Sequence, residues 1–259
     1  MVDSMHTLLE AIGLFAAAFV AGAINSVAGG GSLISFPALV AFGQPAILAN
    51  ATSTAALWPG ALASALAYRR QGGVERRLLL TLLVPSAVGG ILGAYVLVNT
   101  PPAVFDVVVP YLVLFATVLF ACRKPIARWT GTSTSGPDHL SLGRGAWGFT
   151  FQLFVAIYGG YFGAGIGILM LASLSLMGMH DIHRMNGLKT WLGAIMNVIA
   201  FAFFAAKGLV VWPLAAVMTA GAVTGGYLGA RTAQRLSPVY IQYFVIAVGA
   251  AVSIWLFVR

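Results

Sequence analysis

The chain has 259 residues, 60% of them hydrophobic and only 8% charged, with a mean hydropathy of +0.94. Soluble domains carry about 25% charged residues, so the composition excludes a water-soluble globule and predicts apolar runs that cross a hydrocarbon core of ~30 Å. The net charge of +8 does not call for a nucleic-acid partner, because Arg69, Arg70, Arg76, Arg77, Arg123, Lys124 and Arg128 sit at the ends of apolar runs, where cytoplasmic loops collect them.

In chain order, the first apolar run covers residues 6–27. Asp3 and Glu10 stand where a leader would carry positive charge, so this span is expected to stay in the mature protein. Next comes AGAINSVAGGGSLISFP, with Gly29, Gly30 and Gly31 in a row, and then a run at 30–43 that is too short to span at 1.5 Å per residue. Further runs follow at 46–68, 76–98 and 102–122. The polar stretch RKPIARWTGTSTSGPDHLSLGRG, residues 123–145, then divides the chain into segments 1–122 and 146–259. Beyond it the pattern returns at 146–164, 166–179, 182–206, 209–231 and 237–258.

The two segments read as copies. Aligning Gly89-Gly90-Ile91-Leu92-Gly93-Ala94 on Gly225-Gly226-Tyr227-Leu228-Gly229-Ala230 sets an offset of 136 residues. Without a gap, that offset pairs Ala28, Gly29 and Gly31 with Ala164, Gly165 and Gly167, and also Asn50 with Asn186, Thr54 with Thr190 and Pro102 with Pro238. Basic residues change sides between the copies. The loop with Arg69, Arg70, Arg76 and Arg77 corresponds to one holding only Lys207, and the uncharged turn at Asn99 corresponds to one flanked by Arg231 and Arg235. Under the positive-inside rule the halves are inverted, as in many secondary transporters. An odd count of five elements per half gives the same result. The expected fold is thus an all-α integral membrane protein of two inverted-topology repeats, with short broken or re-entrant helices meeting near the midplane. The expected location is the cell (inner) membrane, with the central loop cytoplasmic and both termini outside.

Short, glycine-interrupted segments at matching places in two halves are the best pointer to a transporter's binding site, since unwound backbone is tolerated at membrane depth only where it lines a cavity or is buried in protein. Freed N–H groups and the following helix N-terminus suit an anion, once per half. The competing reading is close helix packing by small residues. It fits Gly89, Gly93, Gly225 and Gly229, and stays open for Gly163, Gly165 and Gly167, whereas three glycines in a row at 29–31 exceed what packing needs.

The stretch GGGSLISFPALVAFGQPAILANATST resembles the signature of the TauE/SafE sulfite exporter family, with a glycine triplet, a proline, a Gly-x-Pro turn and a small-residue helix start. GAGIGILMLASLSLMGMHDIHRMNGLKT is similar to a weaker second copy, in which Ile166 interrupts the glycine cluster and Ser173 takes the proline's place. The resemblance covers nearly the whole chain. It implies a carrier, an exporter in the leading reading, of a small sulfur-containing anion such as sulfite, thiosulfate or an organosulfonate.

Candidate substrate contacts are Gly29, Gly30, Gly31 and Ser32 at the first break and Tyr161, Gly163, Gly165 and Gly167 at the second. Asn50, Thr52, Ser53, Asn186, Lys189 and Thr190 join them from the helices that follow. Lys189 lies about two turns into its helix, where a cation costs several kcal/mol unless compensated. An anion would compensate it, and snorkelling along its four-carbon stem would also relieve it. Asn50 and Asn186 suit both capping and ligand contact, while the hydroxyls can donate to an oxyanion or bond to the preceding turn.

His180, His183 and Arg184 read as a cytoplasmic gate. They do not read as a metal site, which needs three or four convergent ligands; Cys122, the only cysteine, likewise gives no disulfide or thiolate cluster. No cofactor and no catalytic constellation is expected, so an intramembrane enzyme is disfavoured. Asp3, Glu10, Glu75, Asp106, Asp138 and Asp181 all lie near span ends or in loops, which names no ion-coupling carboxylate. Two other functions stay open: a carrier of another small organic or inorganic anion on the same scaffold, and a non-transporting membrane assembly subunit. The partners expected are the small anion and the lipid bilayer; the sequence does not fix the oligomeric state.

Overall fold

A computed structural model describes residues 2–27, 29–68, 76–129, 142–179, 181–232 and 238–258. All regular structure among them is helical: α1 (Val2–Val27), α2 (Ser32–Ala41), α3 (Ala46–Tyr68), α4 (Arg76–Val98), α5 (Pro102–Ala121), α6 (Arg123–Trp129), α7 (Leu142–Tyr161), α8 (Ile166–Leu176), α9 (Ile182–Ala206), α10 (Trp212–Thr232) and α11 (Pro238–Val258). Helix is the expected outcome, because in lipid each backbone donor and acceptor must be satisfied within its own segment. Two features differ from the sequence reading. The start of the polar linker folds as the short helix α6, where Ile126 packs on the core, and α7 begins four residues before the expected 146.

Four helices are long and apolar enough to cross a membrane, over Leu8–Val27, Leu78–Val98, Pro102–Ala121 and Arg184–Ala206 among the described residues. Large apolar side chains such as Val107, Tyr111, Phe154, Tyr243 and Ile254 are exposed. Such surface suits a multi-pass membrane protein facing acyl chains.

Small residues fix the packing. α1 lies on α10, and α10 on α3, through Gly22, Gly60, Gly221, Gly225, Gly226 and Gly229, where a Cβ would strike the neighbouring backbone. α4 lies on α7 in the same way through Gly89, Gly93 and Gly160. Helices this close gain van der Waals contact that lipid-facing side chains cannot supply. The contacts also give directions. Phe15, Phe19 and Ala23 meet Gly221, Gly225 and Gly229 in turn, so α1 and α10 run parallel. Leu153, Ile157 and Tyr161 follow Gly89 and Gly93, so α4 and α7 are parallel too. By contrast α3 and α9 are antiparallel, with Thr52 near Val211 and Trp58 on Phe201. α5 and α11 are also antiparallel, Tyr111 meeting Phe257 and Thr117 meeting Gly249.

Candidate functional site

Both breaks are built by glycine. α1 stops at Val27, and the Gly29 N–H closes it by donating to Ile24 O at 3.1 Å. α7 stops at Tyr161, where the N–H groups of Phe162 and Gly163 donate to Tyr158 O at 2.9 and 3.2 Å. Gly29 and Gly165, 136 positions apart, share a left-handed φ of 75° and 74°, a region that costs other residues about 1–2 kcal/mol. The breaks touch each other: a Cβ on Gly29 would fall on the backbone of Gly167, and one on Gly167 on that of Gly29.

The helices that resume after the breaks, α2 and α8, have Gly31 and Gly165 as N-caps, and neither terminus carries a side-chain cap. Each presents the positive end of its backbone dipole at the crossing without an internal acceptor from a capping side chain.

Lys189 faces the opposite kind of helix end. It is 3% exposed, and its Nζ donates to the carbonyls of Asn25 and Ser26, both at 3.4 Å, in the last turn of α1. Tyr68 Oη also donates to Ser26 O, at 3.3 Å. A buried ammonium is thus compensated by carbonyls at the negative end of α1. In the other half, Asn50 Nδ2 does this for α7, donating to Tyr161 O at 3.0 Å. Tyr161 and Asn25 are themselves 136 apart, so the two bonds occupy corresponding places on the two broken helices. Asn186, the counterpart of Asn50, is 7% exposed, and its Oδ1 has no hydrogen-bond partner among the described residues.

One cavity gathers these elements. It is lined by Asn25, Gly29 and Ser32 from the first break, Gly163, Ile166, Gly167 and Met170 from the second, Ala61 and Ser64 of α3, and Lys189, Thr190, Gly193 and Asn197 of α9. It offers about 20 Å³, room for roughly one water. Its walls carry a cation, two helix N-termini and several hydroxyl and amide groups; Glu10 is half-buried elsewhere, and Asp106 and Asp181 are exposed. That balance favours a small anion.

Of the residues predicted from sequence, Gly29, Ser32, Gly163, Gly167, Lys189 and Thr190 line this cavity. The others do not. A Cβ on Gly30 would meet the Phe120 ring, and one on Gly31 the carbonyl of Ala21. Thr52 accepts a hydrogen bond from the Val211 N–H at 3.1 Å, and Ser53 pairs with Ser35 at 2.7 Å. Tyr161 sets its ring 5.8 Å from that of Phe105, and Gly165 faces Ala116. Instead of one cradle per half, glycines of both breaks converge on a shared cavity, and aromatic side chains occupy the surroundings of Gly30 and Tyr161.

At the start of α9 the Arg184 N–H donates to Asp181 Oδ1 at 3.2 Å. His180 and the side chain of His183 lie outside the described residues. Asn25 and Asn197 were not anticipated. Asn197 was discoverable, since it continues the face of Lys189, Thr190 and Gly193 at helical spacing. The signal for Asn25 is weaker, an asparagine in the last turn of a helix that ends at a glycine break.

Comparison with known proteins places this geometry. Residues 14–256 match the family described as "Sulfite exporter TauE/SafE". A "Probable membrane transporter protein" of Haemophilus influenzae is 29% identical over 90% of this chain and 89% of its own length. The relative named "Probable membrane transporter protein ORF9" of a Sinorhizobium species is 29% identical over 93% and 90%, and "Probable membrane transporter protein YfcA" of Escherichia coli K12 is 26% identical over 93% and 87%. These names describe transporters and not enzymes. No solved structure matches the chain.

Proposed function

We propose, from the premise that this chain belongs to the TauE/SafE sulfite exporter family of membrane transporters, that it carries a small sulfur-containing anion through the cavity where the two broken segments cross. The observation that carries this reading is the meeting of a buried Lys189 with the uncapped N-termini of α2 and α8. Fixed positive groups, with no buried carboxylate among the described residues, favour an anion electrostatically; the hydroxyl of Ser32 suits an oxyanion oxygen, while that of Thr190 donates to the carbonyls of Asn186 and Gly187 in its own helix.

The mechanism proposed is alternating access between inverted repeats in the inner membrane, exporting the anion. Support comes from helix direction. α3 and α9 hold the same place in the two halves, as do α5 and α11, and each pair runs antiparallel. Copies related by a two-fold axis in the membrane plane have this property. A cavity with room for roughly one water fits an occluded stage, which the breaks must open to admit a polyatomic anion.

The test is uptake of radiolabelled sulfite, thiosulfate and a short alkanesulfonate into proteoliposomes by the native protein and by Lys189→Ala. Saturable uptake of at least one of these is expected, lowered about tenfold to a hundredfold by the substitution, as for loss of a hydrogen-bonded charge. No uptake of any of the three would remove the sulfur assignment, and would turn attention to other small anions on the same scaffold. Unchanged uptake by the variant would remove Lys189 from the site.

A further inference from the structure

The cavity holds polar side chains that the packing of the protein leaves unused. Asn25 lies in the last turn of α1, Asn197 on α9 two turns beyond Lys189, and Ser32 at the start of α2. Among the described residues, none of the three side chains makes a hydrogen bond, although the Asn25 backbone carbonyl accepts one from Lys189. Both asparagines are half-buried, so their amides are open to a ligand without the penalty of a fully buried unpaired group. Both residues line the space that Lys189 and the first residues of α2 and α8 also line.

Charge alone would hold any small anion, chloride included. Two neutral amides on different helices add donors from two walls of the cavity, and an anion with several acceptor atoms can give each of them, and the ammonium, an oxygen of its own. A site built to hydrogen-bond its ligand rejects analogues that leave its polar groups unpaired. We propose that Asn25 and Asn197 are the specificity-determining residues of the cavity, reading the oxygens of a polyatomic oxyanion and excluding halides of equal charge. The inference rests on the anion-carrier reading above, which assigns no role to either residue.

Binding of sodium sulfite and of sodium chloride to the detergent-purified protein, followed by titration calorimetry, separates the two ideas. The native protein is expected to prefer sulfite to chloride by at least about tenfold. Asn25→Leu and Asn197→Leu, close in volume, should each weaken sulfite about tenfold, as for one lost hydrogen bond to a charged group, while chloride moves less than about twofold. Asn25→Ser and Asn197→Ser, smaller and still polar, serve where the leucine variants fail to fold. Equal native affinity for the two anions, an unchanged preference in the folded variants, or equal loss of both anions would overturn the inference and leave an anion site in place. Absence of binding by either anion, together with no uptake of thiosulfate or sulfonate, would count instead against the anion carrier itself.

Discussion

At the residue scale, Asn50 and Asn186 test how far sequence equivalence extends. Both are buried and correspond in the repeat, yet Asn50 caps the Tyr161 carbonyl while Asn186 leaves its Oδ1 without a partner among the described residues. The reason lies one turn further along. Lys189 takes the corresponding carbonyl, Asn25 O, and its own counterpart Ser53 pairs with Ser35 instead. Removing the two amides should therefore have unequal effects. Asn50→Leu strands the half-buried Tyr161 carbonyl and is expected to destabilise by about 1–3 kcal/mol. Asn186→Leu removes an unsatisfied group and should leave stability unchanged or raise it. Thermal unfolding in detergent reads both, and equal destabilisation by the two substitutions would contradict this account. Lys189 could be singled out from sequence because a cation two turns into an apolar helix is costly. Its partners could not, because Asn25 and Ser26 lie more than 160 residues away on a helix of the other half.

At the element scale, the breaks were readable from two short apolar runs flanked by glycine, and α2 and α8 are indeed the short helices that result. Their convergence was not readable. It depends on Gly29 and Gly167, neither of which could carry a Cβ at the crossing. A comparison with Gly43 isolates this contact. Gly43 is also left-handed, with φ of 84°, but a Cβ there would meet nothing within 4 Å. Gly43→Ala should cost the conformational term alone, about 1–2 kcal/mol. Gly29→Ala adds a collision with backbone and should cost about 1–3 kcal/mol more. Should the two variants unfold at the same temperature, the crossing of the breaks is not what makes glycine necessary at position 29. Gly193 offers the complementary test, since it is helical, lines the cavity and would place an added Cβ more than 4 Å from any neighbouring element. Gly193→Ala is expected to keep stability or gain up to about 1 kcal/mol from helix propensity while lowering uptake by narrowing the cavity. Loss of stability together with uptake would instead assign Gly193 to packing.

At the scale of the whole molecule, the issue is whether the halves are inverted in the bilayer, and two independent lines bear on it. Charge distribution predicts that the loop after α3, with Arg69, Arg70, Arg76 and Arg77, and the central linker are cytoplasmic. Helix direction adds that α3 opposes α9 and that α5 opposes α11. Together they predict that the exposed turns at Asn99 and Lys207 lie outside, although Lys207 occupies the repeat position that corresponds to Gln71 in the basic loop. Single cysteines decide this once the half-buried native thiol is removed by Cys122→Ser. With a membrane-impermeant maleimide on intact cells, Asn99→Cys and Lys207→Cys should label directly, whereas Gln71→Cys and Ser133→Cys should label only after permeabilisation. The decisive pair is Gln71 and Lys207. A two-fold axis in the membrane plane sends these corresponding positions to opposite faces, and an axis along the membrane normal would keep them on one. Labelling of both from the same side would therefore rule out the inverted arrangement, and with it the proposed rocking of one inverted half against the other.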